Sequence, residues 1–169
     1  METRTLVVMR HAKTEPVSPT GDDFSRALTP RGSADALAMG HWLYGTCPAL
    51  AQIVSSTALR ARETVAALCT AWGDAPPATE WDPTLYLADL ETLLAAVERV
   101  SRRDTLLVGH NPGLEELVRY LGGDQVVDRS KPMPTAAAYV LQLPRRRGRP
   151  AQEQAVLLAH MRPKLLPGD

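Results

Sequence analysis

The sequence predicts an α/β fold: a three-layer α/β/α sandwich with a mostly parallel mixed sheet. Three observations predict it. Short apolar runs rich in β-branched residues alternate with longer segments of helical periodicity. Those runs carry few polar positions, as strands covered on both faces do. The last two runs follow one another with no helix between them, which adds an antiparallel hairpin to a parallel sheet. With 169 residues, positions 1–169 are read as a single domain.

Each element has a local reason. Leu6-Val7-Val8-Met9 reads as a buried first strand. Thr29-Pro30 reads as a helix start, with Thr as N-cap and Pro at the first helical position. This helix is expected to bury Ala34, Leu37, Ala38 and Trp42 and to stop near Gly45. Ile53-Val54 is a second strand. Ala58 to about Trp72 is a second helix, with Leu59, Val65, Ala66 and Leu68 toward the core and Gly73 as its cap. A weak strand near Thr79–Trp81 precedes a helix from about Leu90 to Arg99. Thr105–Val108 is the clearest strand. Gly109-His110-Asn111-Pro112 then turns into a helix carrying Leu114, Leu117, Val118 and Leu121, ended by Gly122-Gly123. Ala137–Leu143 and Ala155–Met161 form a hairpin around the turn Arg145-Arg146-Arg147-Gly148-Arg149-Pro150.

Composition narrows the function classes. Lys plus Arg is 19 and Asp plus Glu is 19, a net charge of zero. A general nucleic-acid binder shows a basic excess, and the Arg145–Arg149 cluster lacks interleaved aromatics, so no nucleic-acid partner is expected. Lysine occurs only at Lys13, Lys131 and Lys164; the other cations are arginines. Arg suits bidentate phosphate contacts, although a GC-rich genome also enriches Arg and Ala. Cys47 and Cys69 form no CxxC and read as reduced thiols. No stretch approaches the roughly 18 apolar residues of a membrane helix, and the apolar start is cut short by Arg10 and His11. The expectation is a cytoplasmic protein with no membrane partner. There is no HExxH, no HxH and no carboxylate cluster at ligand spacing, so neither metal nor cofactor is expected.

In an open α/β sheet, ligands bind beyond the carboxyl ends of the strands. The first strand ends in Arg10-His11, the second in Ser55-Ser56 leading to Arg60, and the strand from Thr105 in Gly109-His110. That topology would gather Arg10, His11, Arg60 and His110 at one sheet edge, whereas His41 and His160 read as structural. The set has chemical sense. Two guanidiniums can grip a phosphoryl group, a neutral imidazole can attack phosphorus, and a second, protonated imidazole can stabilise the charge that builds during transfer.

The motifs also carry a resemblance. Leu6-Val7-Val8-Met9-Arg10-His11-Ala12-Lys13, Ser56-Thr57-Ala58-Leu59-Arg60-Ala61-Arg62-Glu63-Thr64 and Val108-Gly109-His110-Asn111-Pro112 resemble, in order, three motifs of the histidine phosphatase superfamily. Ala12 and Thr57 stand where many members have Gly and Pro. Asp23-Phe24-Ser25-Arg26-Ala27-Leu28-Thr29-Pro30-Arg31-Gly32, Leu85-Tyr86-Leu87 and Met133-Pro134-Thr135-Ala136-Ala137 are similar to stretches of its small SixA-type phosphohistidine phosphatases.

The resemblance implies a phosphoglycerate mutase-like fold and a phosphatase. His11 would be the nucleophile that becomes phosphohistidine, Arg10 and Arg60 would bind the phosphoryl oxygens, and His110 would complete the pocket. Larger relatives use a carboxylic acid to protonate the leaving group; the nearest candidates here are Asp82, Asp89 and Glu91, and Asp89, which opens the next helix, has a simple N-cap as its competing role. Glu63 is read as structural. The implied reaction is hydrolysis of phosphohistidine on a protein through a covalent phosphohistidine intermediate. The alternatives are a phosphatase of small phosphate esters or sugar phosphates and a non-catalytic phosphoprotein-binding module. The partner is accordingly a histidine-phosphorylated protein or a small phosphate ester.

Overall fold

The structure is a computed structural model and describes residues 1–168. Six strands form one sheet in the order β3-β2-β4-β1-β5-β6: β1 (Thr3–Arg10), β2 (Gln52–Ser55), β3 (Ala78–Trp81), β4 (Thr105–Gly109), β5 (Ala138–Pro144) and β6 (Val156–Met161). Strands β3, β2, β4 and β1 run parallel; β5 pairs antiparallel with both β1 and β6. Four helices cover the faces: α1 (Pro30–Thr46), α2 (Leu59–Cys69), α3 (Leu90–Arg99) and α4 (Gly113–Gly122). The expected mixed sheet and three layers are therefore observed.

The layers follow from the alternation of side chains along β1. Val7 and Met9 join Met39, Leu43, Val65 and Leu68 on the α1–α2 side. Leu6 and Val8 join Leu93, Leu94, Leu117 and Val118 on the α3–α4 side. All four β1 residues are fully buried, each contributing roughly 1.5–3 kcal/mol of apolar burial. A strand covered on both faces needs such an unbroken apolar run.

The local start signals act as expected. The Thr29 side chain accepts from Gly32 N at 2.9 Å, and Pro30 occupies the first helical position. Asp89 caps α3 through Thr92 N, also at 2.9 Å. A 3-10 turn, Thr70–Trp72, extends α2 to Gly73, whose φ of 58° ends it. Cys47 and Cys69 are free thiols.

The buried face of α1 differs from the sequence expectation. Ala34, Leu37 and Ala38 are exposed and Trp42 is half-buried, while Gly32, Ala36, Met39, Gly40 and Leu43 face inward. Close approach decides this orientation. A Cβ on Gly40 would lie 2.3 Å from the Leu68 carbonyl oxygen, so the small residues at 32, 36 and 40 let α1 lie against the backbone of its neighbours. On α2, Val65 and Leu68 are buried as expected, Leu59 is half-buried, and Ala66 is exposed for the same reason: this face is set by α1. Gly40→Ala is expected to destabilise the protein by about 1–3 kcal/mol, the usual cost of overpacking. Chemical denaturation reads this directly, and an unchanged midpoint would remove the close-packing explanation.

His41 lies exposed on the outer face of α1, and His160 stacks on Tyr139 with ring centroids 4.2 Å apart. Neither belongs to the cluster at the sheet edge.

Candidate active site

Sheet order brings the key residues together. Strands β2, β4 and β1 are consecutive neighbours, so their carboxyl ends lie side by side. Backbone bonds lock those ends: His11 N donates to Gly109 O, and Ser56 N donates to Val108 O, both at 3.1 Å. The segment before β5 closes the other side, with Ala136 N donating to His11 O at 3.0 Å. The chain enters α4 through a cis Asn111–Pro112 bond just after His110.

His11 and His110 face each other with ring centroids 5.3 Å apart, and both are almost completely buried. His11 Nδ1 lies 2.7 Å from the Ala12 carbonyl oxygen. A carbonyl only accepts, so Nδ1 carries the proton and Nε2 holds the free lone pair. Burial lowers the His11 pKa to about 4, with nearby arginines acting in the same sense against the Ala12 bond. The imidazole is thus neutral near pH 7, the state a nitrogen nucleophile requires.

His110 is oriented by Ser56, a residue the sequence reading left without a role. His110 Nε2 lies 2.7 Å from Ser56 Oγ. That oxygen also accepts from Ala58 N at 3.2 Å. A hydroxyl can donate to the ring while accepting from Ala58, and in that arrangement Nε2 accepts and Nδ1 carries the other proton. Nδ1 is buried with no partner in the protein. The expected protonated second imidazole does not hold in the free pocket: burial, then Arg60 and His11, lower the His110 pKa to about 3. Positive charge at the site comes from the guanidiniums instead.

Arg10 Nη1 donates to Met133 O at 2.8 Å, which ties it to the segment before β5. Arg60 is fully buried and its two terminal nitrogens reach Asp23: Nη1 to the carbonyl oxygen at 2.7 Å and Nη2 to Oδ2 at 2.9 Å. The Nε atoms of both arginines are buried without partners. Orphaned donors are uncommon in native interiors. Arg4 and Arg119 show the same state elsewhere, so number alone decides nothing. What distinguishes Arg10 and Arg60 is that both bear electrostatically on His11, beside which the His110 ring lies.

The carboxylates have other duties. Asp89 is exposed and bonds its own helix at Thr92 N. The structure does not join it to the imidazole pair by any hydrogen bond. Asp23 Oδ2 accepts from the Tyr86 hydroxyl at 2.6 Å, and Oδ1 accepts from Arg26 Nε at 3.0 Å. Tyr86, and then Arg60 and Arg26, hold the Asp23 pKa down to about 2 against partial burial. Tyr86 also sits edge-on to His110, with centroids 5.5 Å apart. Asp23 and Tyr86 lie within stretches already picked out, yet their contacts cross 63 positions and leave no local pattern. Glu63 accepts from Leu28 N at 2.6 Å, a structural bond that anchors the 13–28 segment to α2.

Two neutral buried imidazoles have a cost in acid. Their folded pKa values of about 4 and about 3 lie below the ordinary 6.5. The unfolded chain therefore takes up protons first as pH falls, and stability rises with pH across this window. Stability is expected to be full above about pH 6.5 and to fall by roughly 3 kcal/mol between pH 7 and pH 5. Urea denaturation at both pH values measures it; equal stabilities would contradict the neutral-imidazole assignment.

Fold and site together define a class: an α/β protein that gathers two arginines and two imidazoles at the carboxyl edge of its sheet. Comparison with known proteins narrows the class. A family model for the histidine phosphatase superfamily (branch 1) matches residues 6–85, a span that holds Arg10, His11 and Arg60. A solved structure from Nakamurella multipartitia, provisionally named phosphohistidine phosphatase SixA, is 30% identical, with 96% of this chain and 98% of that chain covered and a TM-score of 0.74. One from Agrobacterium tumefaciens, provisionally given the same name, is 24% identical over 95% and 99% of the two chains, with a TM-score of 0.81. An uncharacterized protein of Mycobacterium leprae (strain TN) is 32% identical over 92% of this chain and 100% of its own. The chain belongs to the histidine phosphatase superfamily, in its SixA-type branch. It is accordingly a phosphatase. No helix among the described residues is long and apolar enough to cross a membrane.

Proposed function

We propose that the chain hydrolyses phosphohistidine on a protein, with His11 as nucleophile and a covalent phosphohistidine as intermediate. One observation carries the reading: the His11 imidazole is neutral with Nε2 free, while Asp23, Glu115 and Asp89 are each engaged in other hydrogen bonds. Asp23 is held by Arg60, Arg26 and Tyr86, Glu115 accepts from Asn111 Nδ2, and Asp89 caps α3. An alkoxide leaving group needs a proton from such a group. The imidazole leaving a phosphohistidine has a conjugate acid near neutral pKa and takes its proton from water. The provisional SixA name of the Nakamurella relative supports the same substrate.

In this mechanism Nε2 of His11 bonds to phosphorus as the substrate P–N bond breaks. The substrate imidazole keeps the electron pair and is protonated by solvent. Arg10 and Arg60 hold equatorial phosphoryl oxygens, and the Nδ1–H of His110 donates to another, so charge is met where it develops. Water then attacks phosphorus, the His11–phosphorus bond breaks, and inorganic phosphate leaves with His11 neutral again.

The test compares radiolabelled phosphohistidine on a phosphotransfer domain with a panel of sugar phosphates, scored by kcat/KM. Release of inorganic phosphate from the domain, faster than from the panel, is the expected result. Faster turnover of the sugar phosphates would transfer the protein to small phosphate esters. Binding of the labelled domain without any turnover would make it a phosphoprotein-binding module.

A further inference from the structure

A cationic groove of about 500 Å³ lies beside the proposed catalytic pocket. Among the described residues, Lys13, Arg31, Arg162 and Lys164 line it against a single carboxylate, Asp35. It shares chain segments with the pocket. Lys13 lies two positions beyond His11, and Thr135, on the opposite wall, precedes the Ala136 amide that donates to His11 O. The first turn of α1 brings in Arg31: Thr29 N donates to Lys13 O at 2.9 Å, and a Cβ on Gly32 would lie 2.1 Å from that same oxygen. The last wall comes from the segment after β6, which carries Arg162 and Lys164.

Among the described residues the charge imbalance is local. The whole chain is neutral and has three lysines, of which two line this groove. Arg31 meets Asp35 only at 3.8 Å, with the Arg31 side chain 67% exposed. Among the described residues, Lys13, Arg162 and Lys164 form no ion pair. Scattered surface cations are ordinary; four gathered from three parts of the chain along one groove form a directed field.

We infer that this groove docks an acidic segment of the phosphorylated partner protein, seated next to the phosphohistidine as it enters the pocket. The inference rests on the phosphohistidine-protein reading above and adds the chemistry of the partner. A protein fits better than a small anion. Small-ligand sites hold their ligand with a few convergent, largely buried polar groups. This groove instead spreads long cations along an open face, Lys13, Arg31 and Lys164 exposed and Arg162 half-buried, the arrangement that sets encounter rate and partner choice between proteins.

The experiment uses the full chain and the double variant Arg162→Glu/Lys164→Glu. Two versions of one histidine-phosphorylated phosphotransfer domain serve as substrates. One carries Asp and Glu around its phosphohistidine; the other has them replaced by Asn and Gln. Free phosphohistidine is the small reference. For the wild type, kcat/KM on the acidic domain should exceed that on the neutralised one at least tenfold at low salt. The gap should shrink as ionic strength rises, since the screening length falls to about 8 Å at 0.15 M. The double variant should lose that preference, so that its acidic-domain to free-phosphohistidine ratio drops at least tenfold, with an unchanged melting temperature. Should the double variant unfold, the single Lys164→Gln change and the salt series read the same ratio. Equal rates on both domains, with wild type and variant alike, would overturn the groove while leaving the phosphohistidine-protein reading intact. Turnover of free phosphohistidine but of neither domain would overturn both together.

Discussion

His11→Ala is expected to abolish turnover, lowering kcat by about four to six orders of magnitude, as removal of a covalent nucleophile does elsewhere. The expectation rests on geometry. Nδ1 of His11 is committed to the Ala12 carbonyl, so Nε2 is the free ring nitrogen, and the neighbouring His110 points Nε2 at Ser56 instead. No second imidazole therefore stands in the same role. Rapid quench with a labelled phosphodonor should trap an acid-labile, base-stable phosphoprotein in the wild type and none in the variant. A stability measurement separates chemistry from misfolding. Because the buried neutral imidazole penalises folding in acid, the variant should lose less stability than the wild type between pH 7 and pH 5. Persistence of the labelled intermediate in His11→Ala would remove this residue from the nucleophile's position.

Much of this arrangement is legible in the sequence because strand ends are legible. An apolar run such as Leu6–Met9 marks both the strand and the point where it stops, and the next residues are Arg10 and His11. The same holds for Ser55-Ser56 and for Gly109-His110. Parallel strands in adjacent positions then bring those ends together, so the cluster follows from topology. Two features were not legible. The buried face of α1 is chosen by the close approach of Gly40 to the Leu68 backbone, and no hydrophobic count registers a contact made by an absent side chain. The Asp23–Arg60–Tyr86 cluster and the Ser56–His110 bond join distant parts of the chain. Each member alone reads as an ordinary polar surface residue. The expectation of a charged His110 fails for a related reason: sequence shows the neighbouring cations but not the depth of burial, and burial is the larger effect.

Arg60→Ala should be the most damaging change outside the imidazole pair. The side chain is 2% exposed and carries both a proposed phosphoryl contact and the anchor of the 13–28 segment through Asp23. Loss of one preorganised donor to a developing oxyanion costs about 10² to 10³ in rate, and affinity for tungstate, a phosphate analogue, should fall alongside. Removing the guanidinium also strands the Asp23 carboxylate beside the site with Arg26 and Tyr86 as its remaining partners, which repels the dianionic substrate. Two further variants separate those contributions. Arg60→Lys keeps the charge but loses the planar fork, so it should recover little if bidentate geometry matters. Asp23→Asn keeps an acceptor for Tyr86 but removes the negative charge, and should leave tungstate affinity equal or higher while loosening Arg60. Calorimetric titration of all three with tungstate reads the order directly. Wild-type affinity in Arg60→Ala would mean that the buried guanidinium holds only the loop, and that Arg10 and His110 bind the phosphoryl group without it.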